Sequence, residues 1–417
     1  MLAGALLGWL AAPSPDAPGF VGLAGVGLLT VMLGRRYPAV AKPLLFAYLI
    51  RLALALVQVY VMKLPDSTAD SMVFEARGWS RSQGPGSIWE GFGARTDVNY
   101  HIIVAAIYRL TGRCPLAVQA LSVLCGTLTI LEVYRLGSQL GGRSRGVQAA
   151  WVYAFFPTGA LYSSIILREG IVAYLGVYAT RNLVTAVRTR GFGAMVGTFI
   201  GYAAAGLLHA GFTLLIPVAA LLIAWLGTSR GAGRPRMVTV AAAVAIAAVL
   251  VAVALQTGAG IDKFRKIIDE GSTQQLGSYG AEGGSRYLEE VSISGWGDVV
   301  AQAPLRTAYF LFGPFPWTIR SPHHVIGAVD AAFYIVAVLL VLRKRREIWA
   351  RPDGRAVLIV SIILSVVYAM GTANFGTAIR HRVKEAPILL ALAMLERVPR
   401  TRVASGAPAV PSEAEAE

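Results

Sequence analysis

Eleven apolar runs recur between residues 20 and 396, and most approach the length that crosses a bilayer. A transmembrane helix needs about 20 predominantly apolar residues to span a hydrocarbon core of about 30 Å. The runs cover 20–34, 44–64, 115–137, 147–167, 169–187, 193–209, 211–227, 237–255, 325–342, 356–372 and a short last stretch at 385–396. Only 15% of the residues are charged and 55% are hydrophobic, whereas a soluble domain of ordinary composition is about 25% charged. The expected fold is therefore an all-α polytopic membrane protein with about 10–12 transmembrane helices.

The formal net charge of +15 does not indicate nucleic-acid binding, because the basic residues form no single patch. They cluster between the apolar runs, at Arg35/Arg36/Lys42, Arg143/Arg145, Arg188/Arg190, Arg230/Arg234/Arg236, Arg343 to Arg346 and Arg397/Arg400/Arg402. Short basic loops of this kind mark the cytoplasmic side. An even number of runs separates each cluster from the next, so all six fit one side. Two long polar segments, from about Pro65 to Pro115 and from about Gln256 to Pro322, then fall on the non-cytoplasmic side. Cys114 and Cys125 suit neither a disulfide framework nor a metal site. The N-terminal stretch lacks a basic n-region and reads as a retained segment. The Ala/Pro/Glu-rich tail, 401–417, reads as disordered.

The stretch SSIILREGIVAYL sets Arg168 beside Glu169 in a long apolar run. A charge at mid-membrane depth costs roughly 2.5–3.5 kcal/mol on insertion scales. Between Gly146 and Arg188 lie about forty residues, enough for two spans of about twenty with almost no loop. That places Arg168 and Glu169 at the tip of a helical hairpin, close to the outer surface. A structural ion pair snorkelling to the headgroups is the plainer reading of the same residues.

Other chemistry-bearing residues gather on the same side. In KLPDSTADSMVFEARGW, Asp66 and Asp70 stand four apart and share one face of any helix. Either acid suits a general base at the membrane–water boundary; the plainer reading is an N-cap at Asp66 or Ser67 before an amphipathic surface helix. ARTDVNYHIIVAAIYRLTG adds Asp97, Asn99, Tyr100 and His101, with Tyr100 and Tyr108 also suited to interfacial anchoring. Pro314-Phe315-Pro316-Trp317 interrupts any regular helix, and His323 and His324 follow with no further ligand at metal-binding spacing. Before the last apolar run come Arg380, His381, Arg382 and Lys384, against the positive-inside trend. Cations there need a partner, and arginine forks match phosphate oxygens.

Together these residues resemble the GT-C type of integral-membrane glycosyltransferases, which use polyprenyl-phosphate-linked sugars. The likeness is to the bacterial branch related to protein mannosyltransferases and lipid A aminoarabinose transferases. It is carried by Asp66-Ser-Thr-Ala-Asp70 with Phe74-Glu75-Ala76, Tyr100 through Gly112, Phe156-Pro157 through Ser163-Ser164, Arg168-Glu169 and Arg380-His381-Arg382. The resemblance implies a GT-C-like transmembrane domain over 44–400, with outer loops at 65–114 and 256–322 and an added membrane segment at 1–43. It implies Asp70 or Asp66 as the base, and Arg168, Arg380 and Arg382 as contacts to the lipid phosphate. Glu169, Asp97, Tyr100 and His101 complete the implied substrate site.

Many relatives carry adjacent acids in that loop, whereas here they stand four apart. Asp70 is the favoured base, one turn deeper beside Phe74 and Trp79, and Asp66 is the better cap. The implied acceptor is a cell-envelope glycan, lipid or protein on the non-cytoplasmic face of a bacterial cytoplasmic membrane. No cofactor is called for; a divalent cation is compatible with the chemistry but no ligand spacing indicates one. The rival readings are an O-antigen polymerase or ligase and a transporter or flippase of lipid-linked saccharide. The lack of a visible internal repeat counts against the transporter.

Overall fold

The computed structural model describes residues 14–68, 70–227, 236–257, 287–288 and 296–396. Tyr279 and most of the segment 256–295 lie outside them, as do the tail and the loop carrying Arg230 and Arg234.

Among the described residues the chain is helical and contains no strand. It begins with α1 (Ala17–Arg36), α2 (Ala41–Tyr60), α3 (Asp70–Gln83), α4 (Thr96–Thr111) and α5 (Pro115–Ala154). A short α6 (Pro157–Tyr162) leads into α7 (Glu169–Thr189), α8 (Phe192–Leu208), α9 (Leu215–Leu226) and α10 (Arg236–Thr257). The last part holds α11 (Trp296–Phe312), α12 (Pro322–Arg343), α13 (Arg345–Ala350), α14 (Pro352–Met370) and α15 (Phe375–Ala393). Among the described residues, five helices are long and apolar enough to cross a membrane: Ala17–Arg36, Pro38–Tyr60, Pro115–Ala154, His323–Arg343 and Pro352–Met370. Their outward faces expose Leu28, Met32, Leu49, Val336, Leu339 and Ile362. A long apolar exterior of this kind is what an all-α polytopic membrane protein shows to lipid.

α15, which buries Arg382, Lys384 and Glu385, and α7, which buries Glu169, sit at the centre. α7 packs on α5, α8, α14 and α15, and α15 packs on α5, α7, α12 and α14. α1 belongs to the same bundle: it packs on α2 and α5, and the Tyr48 hydroxyl donates to Leu23 O at 2.9 Å.

Side-chain bridges sort the helix ends into two groups. Arg188 reaches Asp353 and Gln139 O, Arg351 donates to Leu140 O, Lys344 donates to Ala393 O, and Arg190 reaches Gly227 O. The basic connections around Arg143, Arg188 and Arg343–Arg355 therefore gather at one end, as their spacing in the sequence requires. At about 1.5 Å per residue, the 21 residues of α7 put Glu169 about 30 Å from that end. The first turns of α12 and α15 lie at the same far end.

Two expectations need correction. The run 147–167 is not one span. Pro157 disfavours helix at the residue before it, so α5 stops at Ala154 and α6 lasts only six residues. A turn over 163–168 then enters α7 inside the protein. Arg168 and Glu169 do form the tip of a hairpin, but Glu169 is only 1% exposed and Leu167 fully buried. The last helix begins at Phe375 instead of near 385, with the Asn374 side chain accepting from Gly376 N at 2.8 Å as its cap. Arg380 to Lys384 thus lie within the helix and do not precede it.

Candidate functional site

The turn before α7 is held by buried polar bonds. Arg51 Nε donates to Ser163 Oγ at 2.7 Å and Arg51 Nη2 to Gly159 O at 3.3 Å, while Gln119 Nε2 donates to Ser164 O at 3.0 Å. Gly126 on α5 makes room for this arrangement, because a Cβ there would fall on Ser163 and the Arg51 guanidinium. The turn delivers Glu169 to the first position of α7, where the helix dipole favours a carboxylate.

Around Glu169 the cations converge. Its Oε1 lies 3.2 Å from Arg380 Nε and 3.4 Å from Lys384 Nζ. Arg380 and Lys384 are one turn apart on α15 and share a face. Arg380 Nη1 also binds Asp70 Oδ2 at 2.5 Å, completing the series Asp70–Arg380–Glu169–Lys384. Arg382 does not join it, contrary to the sequence expectation. Two positions along a helix point to opposite sides, so Arg382 lies over Tyr334 and donates to Leu311 O and Gly327 O.

Asp66 stands in a different setting. Its backbone takes φ 61°, a left-handed conformation that Asp adopts more readily than most residues. Its Oδ2 accepts from the Tyr162 hydroxyl at 2.5 Å, and His323 Nε2 lies 2.9 Å from that hydroxyl and 3.4 Å from the carboxylate. Asp66 therefore caps no helix, since α3 begins at Asp70. The expected order of burial is also reversed: the Asp66 side chain is 26% exposed and the Asp70 side chain 48%. Asp70 is neutralised by Arg380, whereas Asp66 faces only a hydroxyl and an imidazole.

Arg168 completes the cluster. Its guanidinium lies 5.6 Å from the centre of the Phe74 ring, and its buried Nε and Nη1 have no hydrogen-bond partner. A buried guanidinium left unmatched is costly, so this is the group most open to an incoming anion. Phe74 also meets Tyr100 edge-on at 5.0 Å and His101 at 5.4 Å. Tyr100 is fully buried, which rules out interfacial anchoring.

Above this layer, α3 and α4 pack side by side and run in the same direction, with Phe74 beside Tyr100, Gly78 admitting Val104 at close approach and Arg109 Nε donating to Ser82 O. Asp97 accepts two bonds from Arg95, each 3.1 Å, and has Arg77 at 3.8 Å. Burial alone would raise the Asp97 carboxyl, but the bonds and charge of Arg95 outweigh it and hold the group below its usual range. Burial pushes His101 down to about 4, with Asp97 opposing and Arg77, Arg81 and Arg168 reinforcing. Asp97 and His101 face a cleft of about 710 Å³ between α3 and the loop before α4. A second cleft of about 420 Å³ lies on the other side of α3, lined by Lys63, Ser71, Glu75, Arg113 and Gln119.

Of the residues expected at the site, Asp66, Asp70, Arg168, Glu169 and Arg380 come together, Asp97 and His101 flank them, and Arg382 points away. Tyr162 and His323 are absent from the site that the sequence implies, and Lys384 is read there only as one of the outer cations. Lys384 was readable as the residue one helical turn after Arg380, and His323 had been weighed only as a metal ligand. No protein-family model matches the chain, and neither a curated protein nor a solved structure shows detectable similarity to it. The fold and cluster define an all-helical protein with membrane-length helices and a charged, partly buried site at the end opposite its basic loops.

Proposed function

We propose that this protein is a membrane glycosyltransferase that moves a sugar from a polyprenyl-phosphate-linked donor to an acceptor hydroxyl. The observation that carries the reading is the pair of buried Arg168 nitrogens, Nε and Nη1, that have no hydrogen-bond partner, set in one cluster with Arg380, Lys384 and the carboxylate of Asp66. In this reaction the acceptor oxygen attacks the anomeric carbon, and the bond from that carbon to the phosphate oxygen breaks with its electron pair. The departing phosphate is a stable anion and needs fixed positive charge more than a general acid. Arg168 meets it through its unbonded Nε and Nη1, and Arg380 and Lys384 add charge behind it. The acceptor hydroxyl takes the place of Tyr162 at Asp66 and gives that carboxylate its proton. Asp70 and Glu169 hold Arg380 in position. The motifs that resemble GT-C enzymes support this reading, and on it the reaction takes place at the non-cytoplasmic face of a bacterial cytoplasmic membrane.

A carrier of lipid-linked saccharide is the second reading. Asp330, Arg382 and Glu385 favour it, being fully buried within α12 and α15, since ionisable groups inside membrane helices often line transport paths. Purified protein in liposomes, given a radiolabelled polyprenyl-phosphate sugar and an envelope-lipid extract, separates the two. Label that leaves the donor for an acceptor supports the transferase. Label that crosses the bilayer while still attached to its lipid rejects it.

A further inference from the structure

We infer that the cleft between α3 and the loop before α4 binds an anionic saccharide, the acidic portion of the acceptor; this rests on the transferase reading. The cleft holds about 710 Å³, within the roughly 300–1,000 Å³ of small-molecule sites. Most of its lining residues carry polar groups: Arg77, Arg81 and Arg95 stand against Glu90 and Asp97, which leaves a surplus of one positive charge. Val98 and Pro85 are the apolar side chains of its lining. Ser80 and Ser87 add hydroxyls on the walls. Paired carboxylates and hydroxyls beside guanidinium groups suit a polyol that bears an acidic group, as each can take up a sugar hydroxyl.

A second feature points to a ligand independently of the charge. His101 lines the cleft, is only 4% exposed, and its Nε2 has no hydrogen-bond partner. A buried polar atom without a partner is costly, and a ligand hydroxyl or acidic oxygen would satisfy it. The ring stays neutral at neutral pH, as described above, so either tautomer is accessible for that bond. The His101 ring also lies against Phe74, tilted to it, and Phe74 lies under Arg168. The cleft therefore opens beside the cluster assigned to the donor phosphate, where an acceptor has to sit.

The acid is either a uronate carboxylate or a phosphate, and the test separates them. Calorimetric titration of the full-length protein in detergent, without donor, uses trigalacturonate, glucose 6-phosphate and neutral maltotriose as probes. At least one charged probe is expected to bind about tenfold or more tighter than maltotriose, and the probe that does so identifies the acid. Arg77 and Arg95 are 61% and 67% exposed in their side chains, so Arg77→Gln with Arg95→Gln leaves the fold intact while abolishing that preference. Arg81 is left alone because it braces Ile88 O and Glu90 O. His101→Asn is expected to weaken the charged probe about tenfold. Equal binding of charged and neutral probes, no binding of any probe, or a preference that survives the double arginine change overturns the assignment. Because no donor is present, a protein that binds the acid but transfers no sugar contradicts the transferase reading and leaves the cleft standing.

Discussion

Asp66 and Asp70 differ by one helical turn in sequence and by their whole environment in space. Asp70 forms a 2.5 Å ion pair with Arg380, and Asp66 shares a proton-bearing contact with Tyr162 and His323. Asp70→Asn is accordingly expected to loosen Arg380 and raise the donor KM with a smaller loss of kcat, read from initial rates across donor concentrations. Arg168→Lys keeps the charge but loses the fork, and transfer is expected to fall about tenfold or more with normal expression. Wild-type turnover in Arg168→Ala would instead mark a structural Arg–Glu pair. His101 adds a pH dependence. Its folded pKa of about 4 lies below the unfolded value of about 6.5, so in that window the unfolded chain binds the extra proton. The stability contributed by the neutral ring is full above about 6.5 and is lost as pH falls toward about 4. Hydrogen exchange of α3 and α4 at pH 7.5 and 5 should show this loosening in the wild type, and His101→Asn should flatten it.

At the scale of elements, the turn between α6 and α7 explains both what could be read and what could not. Counting residues between Gly146 and Arg188 correctly implied a hairpin. It misplaced the tip because the count assumed two arms of equal depth, while Pro157 ends the first helix early and a six-residue α6 draws the turn inward. The helical repeat separates Arg380 and Lys384 from Arg382, so that distinction was available once the helix was known to begin at Phe375. Tyr162, Asp66 and His323 come from three distant parts of the chain, and no local pattern joins them. Gly126 gives this scale its test. Gly126→Val would push Ser163 and Arg51 apart, and a Tm lowered by several degrees with loss of transfer is expected. Unchanged stability would show that the turn does not depend on that close approach.

For the whole molecule, the alternation of apolar runs and basic loops was sufficient to separate the two ends, because insertion obeys charge over short loops. Both native cysteines are buried, so introduced cysteines report without background. Ser87→Cys, beside the cleft, should react with an impermeant thiol reagent in intact cells, and Ser144→Cys, among the basic loops, only after lysis. The reverse pattern would move the site to the cytoplasmic face. The most direct test of the reaction itself is single-turnover transfer of a radiolabelled sugar from its polyprenyl-phosphate carrier by wild-type protein and by Asp66→Asn. The expected result is product from the wild type and a rate lower by about a hundredfold or more in Asp66→Asn, with donor binding unchanged. Equal rates in the two proteins, or no transfer by the wild type, would contradict the assignment of Asp66 as the base of a glycosyl transfer.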